Sequence, residues 1–285
     1  MAYNGGSDPT LAELISRFFV PDIFSTDVIM TAKSNLVCAD SFRNKYTNGL
    51  YRGRLINIPV MTAGSATEVT PGTEPTAGDV STTGVTVTVD KWYESSAHIS
   101  DMAQVEELAD YLKAAAEECG YAISKTVDLD VSSLFSTLGG SSLVNADGAT
   151  FDDAAFLALT EYLDENDVPA ENRSLIGDSS TKRDMFGIDK FVRMDYINGM
   201  PTTNGKFGML YGAAVKITNN LTASTTGNYG VLAHQDAIGV AIQQTPRVRF
   251  FDQGYKFLNL IICDAFWGAD EIRDTFGKAF YTRKK

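Results

Sequence analysis

Residues 53–62, GRLINIPVMT, and residues 85–106, VTVTVDKWYESSAHISDMAQVE, decide how this chain is to be read. Leu55 to Val60 is a short apolar run. Val85, Val87 and Val89 then alternate with Thr86, Thr88 and Asp90, the period-two pattern of a strand with one covered face. Between them, residues 61–84 are rich in Thr, Gly, Pro and Ala, with Pro71, Gly72, Pro75 and Gly78 and almost no large apolar side chain. The pattern predicts two strands of a long hairpin around an irregular tip that has nothing with which to build a core of its own. An isolated two-stranded ribbon is marginal in water. Such a tip is expected either to be disordered or to be held by another chain.

Working outward, Asp101 to Gln104 fits a capping box with Asp at the cap. Val105, Leu108, Leu112, Ala115, Cys119, Ala122, Ile123, Thr126 and Val127 then follow one helical face. Continued through Leu134 to the Gly139-Gly140 stop, this helix would span about 50 Å. Its opposite face carries Glu106, Glu107, Asp110, Glu117 and Glu118, relieved only by Lys113.

Upstream, Leu11, Leu14, Ile15, Phe18 and Phe19 recur at helical spacing before Pro21, which predicts a short amphipathic helix on an N-terminal arm. Between Lys33 and Arg54 the chain carries Lys33, Arg43, Lys45, Arg52 and Arg54 against Asp40 alone, a basic cluster that fits a solvated face as well as a partner-binding patch. Downstream, Thr150 with Asp153 is read as the cap of a second helix carrying Phe156, Leu157, Leu159, Tyr162 and Leu163, ending before Pro169. Residues 174–177 read as a strand and 178–186 as a short helix. The stretches 209–218, 231–243, 248–251 and 255–266 read as strands. Helices and strands mix without regular βαβ alternation, which predicts an α+β fold.

Composition excludes more than it assigns. A chain of 285 residues can bury a sizeable core without staples. Cys38, Cys119 and Cys263 are odd in number and far apart, so they predict buried thiols in a reducing compartment rather than disulfides or a zinc ribbon. A net charge of −12 argues against tight nucleic-acid binding. No stretch approaches a membrane span, and the start MAYNGGSDPT carries no signal-peptide pattern, so the chain is expected in the cytoplasm. His98 and His234 lack a second ligand or a base partner at motif spacing and read as satisfied structural histidines. In GMPTTNGKF, residues 199–207, the glycines are too far apart for a phosphate loop and Phe207 replaces the magnesium-holding hydroxyl. The carboxylate pairs Asp152/Asp153 and Asp128/Asp130 are explained by helix starts and exposed faces. No catalytic, cofactor or metal site is expected, and an enzyme is disfavoured.

The order of elements, basic arm, two-stranded loop, long helix and α+β remainder, resembles that of the major capsid proteins of tailed double-stranded DNA phages, the fold shared with encapsulins and the herpesvirus capsid floor. GRLINIPVMT looks like the family's first loop strand with its Ile-Pro ending. VTVTVDKWYESSAHISDMAQVE looks like the return strand running into the head of the spine helix. RSLIGDSS (173–180) is similar to a strand-to-helix step of the axial subdomain, and LYGAAVKI (210–217) and HQDAIGVAIQ (234–243) to its later strands.

The resemblance implies an N-arm and entry to the peripheral subdomain over 1–52, an extended loop over 53–95 and a peripheral subdomain with the spine helix over 96–167. It further implies an axial subdomain over 168–246, and a return through the peripheral subdomain with a final axial strand over 247–285. The implied function is a structural, self-assembling one, in hexamers and pentamers of an icosahedral shell around double-stranded DNA held without sequence-specific binding. Portal and a separate scaffolding chain are the implied partners, the latter because the leader before the arm is short. The location is then the virion capsid, assembled in the bacterial host cytoplasm. An encapsulin-like protein compartment, or a soluble α+β binding or catalytic protein, is the alternative. If arm and loop lie over neighbours, the inter-subunit contacts are expected at Arg43, Lys45, Arg52 and Arg54 against Glu68, Glu74, Asp79, Glu106, Asp110 and Glu117. Some members join a loop lysine to a neighbour's side-chain amide, but no lysine occurs between Leu55 and Asp90 here.

Overall fold

The structure, a computed structural model, describes residues 36–42, 53–61, 82–100, 111–188 and 207–283, with positions 33, 66, 68, 71, 72 and 190. The arm helix expected at 11–19 and the capping segment 101–104 lie outside the described residues, as does most of the loop tip.

The hairpin forms as the alternation predicts. β1 (Leu55–Met61) and β2 (Thr82–Thr88) pair antiparallel from Leu55↔Thr88 to Met61↔Thr82 and make a two-stranded sheet of their own. Among its described residues the buried contacts are at its root. Val87 and Val89 are fully buried with Ala241, against Ile56, Ile58, Phe266 and Ile272. At that root the Thr88 amide donates to Asp270 Oδ2 at 2.7 Å, and a Cβ on Gly268 would sit 2.0 Å from the Thr88 carbonyl oxygen. Glycine lets the two backbones touch there. The return strand is broken at Val89-Asp90, and β3 (Lys91–Ser100) joins a different sheet.

That sheet has the order β3-β9-β8, with β8 (Ile238–Gln253) and β9 (Leu258–Glu271) forming a long antiparallel hairpin. The sequence reading divided these strands differently. Residues 231–243 are two strands, because Ala237 N bonds the His234 carbonyl at 3.0 Å and closes a turn that carries the chain from one sheet to the other. Residues 248–251 belong to β8, which runs straight through Pro246. A proline lacks the ladder N–H but is tolerated on an edge strand, and the register shifts on either side of Gln244 absorb it.

α1 (Cys38–Ser41) leads toward the hairpin, and α2 (Tyr111–Ser133) is the described part of the long helix, 23 residues or about 34 Å. α2 tightens into a 3-10 turn over Leu134–Thr137 and stops at Gly139 and Gly140, whose φ angles are +75° and +76°. Only glycine enters that region without strain, and both amides donate to Asp274 Oδ1, Gly139 at 2.6 Å. Cys119, Ile123 and Val127 form the buried ridge of α2 on the three-stranded sheet, against Cys263, Ala265 and Trp267. Ala122, expected on that ridge, is exposed, because the i, i+4 row through Cys119 passes beside it.

The five-stranded sheet, order β10-β7-β4-β6-β5, comprises β4 (Arg173–Gly177), β5 (Met209–Leu210), β6 (Ala213–Ile217), β7 (Tyr229–His234) and β10 (Gly277–Tyr281). β4 and β6 are parallel and the other pairs antiparallel. One face takes α3 (Asp153–Glu165), with Phe156, Leu159 and Leu163 buried against Leu175, Leu232 and Phe280. The other takes the end of the long helix, Val131, Phe135 and Leu138, against Ile176, Val231 and Ala233. The cap of α3 is Asp152, not Thr150. Asp152 is extended and its Oδ1 accepts from Ala155 N at 2.8 Å, while Asp153 faces Lys190 and Tyr211. Thr150 and Asp152 are both favoured N-cap types, and the pairing of Thr150 with Asp153 pointed to the wrong one, because Asp152 caps by its own carboxylate with Ala155 and not Glu or Gln at the third position. α4 (Ser179–Phe186) is capped by Asp178, whose Oδ1 accepts from Thr181 N at 2.8 Å.

Candidate assembly surfaces

Among the described residues, three places carry exposed apolar or charged groups suited to contacts between chains. At the outer end of the hairpin, Met61 is 73% exposed. At the tip of the β8–β9 hairpin, Phe250, Phe251, Tyr255 and Phe257 are all exposed. Such groups stay in water at a cost, and their clustering at two extended tips points to contacts between chains.

The third place is the flank of α2. The described acidic residues behave as a face: Glu117 is exposed, and Glu118 meets Lys33 at 3.2 Å, with the Lys33 ammonium also 5.1 Å from the Tyr121 ring centre. A basic arm residue thus already pairs with the helix within one chain. Of the expected contact residues, Arg54 and Glu68 are likewise exposed, whereas Arg43, Lys45, Arg52, Glu74, Asp79, Glu106 and Asp110 lie outside the described residues.

A concavity of about 540 Å³ opens between α2 and the sheet, lined by Leu129, Leu221, Thr126, Thr222, Tyr93 and Trp267. Asp130 on its wall is occupied by its own chain, accepting from Lys91 and, at 3.1 Å, from Trp267 Nε1. Asp128 is fully buried and accepts from Ala39 N at 2.9 Å and Asn220 Nδ2 at 3.1 Å, tying α1 to α2. The reading of Asp128 and Asp130 as solvated carboxylates is therefore corrected. Both are internal anchors, and the missing signal was tertiary, since their donors come from residues 39 to 137 positions away.

On the sheet face opposite α2, Asp264 is 4% exposed and accepts from Arg247 Nε at 2.8 Å, Arg247 Nη2 at 2.9 Å and Gln244 Nε2 at 3.0 Å. Arg249 and Trp92 reach it at 3.3 and 3.4 Å. Burial pushes this carboxyl up, but the donors and the Arg247 charge outweigh burial and hold it below the usual carboxylate range. A depressed carboxyl stabilises the fold above the unfolded value of about 3.9 and loses that contribution as pH falls through the folded value. Subunit stability is therefore expected to drop on acidification below about pH 4, and Asp264→Asn to flatten that part of a denaturation-midpoint profile. Equal acid slopes for the two chains would contradict this.

The chemistry searched for in the sequence is placed as follows. All three cysteines are buried and unpaired, and burial drives the Cys38 thiol well above its ordinary value. His234 is buried and its Nδ1 accepts from Asp236 N at 3.2 Å, but His98 stands exposed on β3, so only His234 is a structural histidine. Phe207 packs its ring 4.6 Å from that of Phe186, a core contact in place of a phosphate loop's hydroxyl, while residues 199–206 are outside the described residues. Among the described residues no cluster of His, Cys, Asp and Glu could hold a metal ion, and no helix is long and apolar enough to cross a membrane.

No protein-family model and no curated protein matches the sequence. Solved structures do. The chain is similar to one of Mycobacterium phage Che8, at 19% identity and a TM-score of 0.79, covering 93% of this chain and 97% of that one. It is similar to the capsid structure of the cyanophage P-SCSP1u, at 15% identity and a TM-score of 0.73, covering 99% and 100%. It is also similar to the mature capsid of bacteriophage PhiM1, at 12% identity and a TM-score of 0.71, covering 92% and 91%. The fold is that of the phage capsid chains.

Proposed function

We propose that the chain is a major capsid protein: a structural subunit that assembles with copies of itself into the icosahedral head of a tailed phage around double-stranded DNA. The observation that carries this reading is the likeness to phage capsid chains over nearly the whole of both partners. A protein of other function built on the same core would have little use for a ribbon whose described residues are buried only at its root. The role is structural and not enzymatic, in the virion, with portal and a separate scaffolding chain as partners and assembly in the host cytoplasm. In this reading the axial subdomain is 168–246 with the last strand of 247–285, the peripheral subdomain is 96–167 with the rest of 247–285, and 1–52 and 53–95 are the reaching arm and loop.

Contacts between subunits then include the basic arm, Arg43, Lys45, Arg52 and Arg54, against the acidic loop and helix of a neighbour, Glu68, Glu74, Asp79, Glu106, Asp110 and Glu117. One exposed pair contributes at most about 1 kcal/mol. Repeated over a shell the pairs act together, and salt near 1 M, with a Debye length of roughly 3 Å, weakens them together. Arg43→Glu with Lys45→Glu is expected to lower the yield of empty shells, and reversal of Glu68 and Glu74 to restore part of it. An unchanged yield would remove the pairing.

Because no lysine lies between Leu55 and Asp90, and the cysteines are buried, particles boiled in denaturant with reductant are expected to run as monomers on a gel. A ladder of covalent oligomers would reveal a reactive pair elsewhere. The proposal itself is tested by sizing the purified chain, alone and with a scaffold. A species that stays at about the 30.9 kDa of one chain under every condition would sink it.

A further inference from the structure

Cys119 and Cys263 stand 144 positions apart in the sequence, and the packing of α2 on β9 brings them to one place. Trp267 Nε1 donates to Asp130, and Lys91, the register partner of Trp267, reaches the same carboxylate, which fixes the C-terminal half of α2 over that strand position. Beyond it Val131 and Ala269 share the next buried cluster. In the other direction four helical residues rise about 6 Å and two strand residues about 6.7 Å. The two rows therefore stay in step, Val127 with Trp267, Ile123 with Ala265 and Cys119 with Cys263. These six residues form one buried cluster, as that register requires. The sheet side of it is built of small residues, Cys263, Ala265 and Ala97, which let the helix lie close. Burial pushes the Cys263 thiol up, and the Cys119 thiol beside it pushes it further. Cys38 stands apart in a different cluster, against Asp128, nine residues or about 14 Å along α2 from Cys119.

We propose that Cys119 and Cys263 are an oxidation-operated staple, a dithiol in a reducing compartment and a disulfide once the folded chain meets a peroxide or a disulfide oxidant, which then pins α2 to the three-stranded sheet. Cys119 is 6% exposed and Cys263 not at all, so Cys119 reacts first. With hydrogen peroxide the O–O bond breaks, the Cys119 sulfur takes one oxygen as a sulfenic acid, and one water leaves. The Cys263 sulfur then attacks the Cys119 sulfur. The S–S bond forms, and the hydroxyl leaves with the Cys263 proton as a second water. Two thiols have lost two electrons, and one peroxide has become two waters. The cross-link closes a long loop, the case in which a disulfide restricts the unfolded chain most. The staple belongs to the folded subunit and is independent of the shell-forming reading.

The test uses the full chain. It is treated with hydrogen peroxide, its remaining thiols are alkylated with N-ethylmaleimide in denaturant, and its peptides are read by mass spectrometry without reductant. The expected product joins the Cys119 and Cys263 peptides, two hydrogens lighter than their sum, with Cys38 alkylated. The melting temperature of the oxidised chain is expected to rise by roughly 5–10 °C and to fall back on reduction. Cys119→Ser and Cys263→Ser should each abolish both the cross-link and the rise, and the wild-type peptide map stands even if a serine variant folds poorly. Where peroxide fails to reach the core, refolding under oxidised glutathione supplies the same two-electron oxidation by thiol exchange and is expected to give the same bond. Absence of the bond from both treatments overturns the proposal. So does a bond to Cys38 in its place, or Cys119 oxidised to the sulfinic acid beside an alkylated Cys263, since either would mean that the two sulfurs do not meet. A bond that leaves the melting temperature unchanged overturns its role as a staple.

Discussion

Replacing Trp267 by alanine is expected to destabilise the subunit by about 3–5 kcal/mol, a large part of the stability of a domain this size. The indole is fully buried, stacks on Tyr93 at 5.2 Å with 26° between the planes, and donates from Nε1 to Asp130 at 3.1 Å. It packs where the Cys119, Ile123 and Val127 ridge of α2 meets β9. Removing it opens a cavity at the contact that fixes the long helix on the sheet. Trp267→Phe keeps most of the ring and loses the donor, and because Lys91 still serves Asp130, its cost is expected to be smaller, about 1–3 kcal/mol. Denaturant unfolding of the free subunit measures both. A Trp267→Ala loss under about 1 kcal/mol, where an ordinary surface change would fall, would mean that this contact does not anchor the helix.

The second expected result separates folding from assembly. Substituting residues 66–78 with a short Gly-Ser turn should leave a soluble subunit that melts as cooperatively as the wild type, because the hairpin's buried contacts are at its root, Val87 and Val89. The segment removed holds Val69 as its one sizeable apolar side chain and therefore adds little to the core. The same variant should form no stable shells, since the ribbon then lacks the part that reaches a neighbour. Intact shells from it would show that the loop tip is dispensable, and a subunit that fails to fold would show that the tip belongs to the core.

How much of this was legible in the sequence depended on whether the signal was local. The Val85/Val87/Val89 alternation and the buried ridge through Cys119, Ile123 and Val127 are periodic, and the structure places both as read. The Gly139-Gly140 stop is a backbone requirement and was equally plain. What misled were features whose meaning is set by partners far along the chain. Residues 244–247 fell between two strands in the sequence reading, whereas Pro246 is an edge position of one long strand. Asp128 and Asp130 looked solvated and are clamped by residues from α1, β3, β9 and the loop at Asn220. The arginine pair on Asp264 was invisible because residues 15 and 17 apart become neighbours only when β8 folds onto β9. The charge cluster at residues 43–54, by contrast, was obvious in sequence and is mostly outside the described residues.

The most direct measurement is electron microscopy of the purified full-length chain, alone and co-expressed with a scaffolding chain, in negative stain and then in vitreous ice. The proposed function predicts closed icosahedral particles of a single 30.9 kDa chain, with DNA inside when they are recovered from infected cells. Closed particles filled with a protein cargo and lacking DNA would favour the encapsulin-like alternative, and a chain that remains a monomer under every condition would contradict the account at its centre.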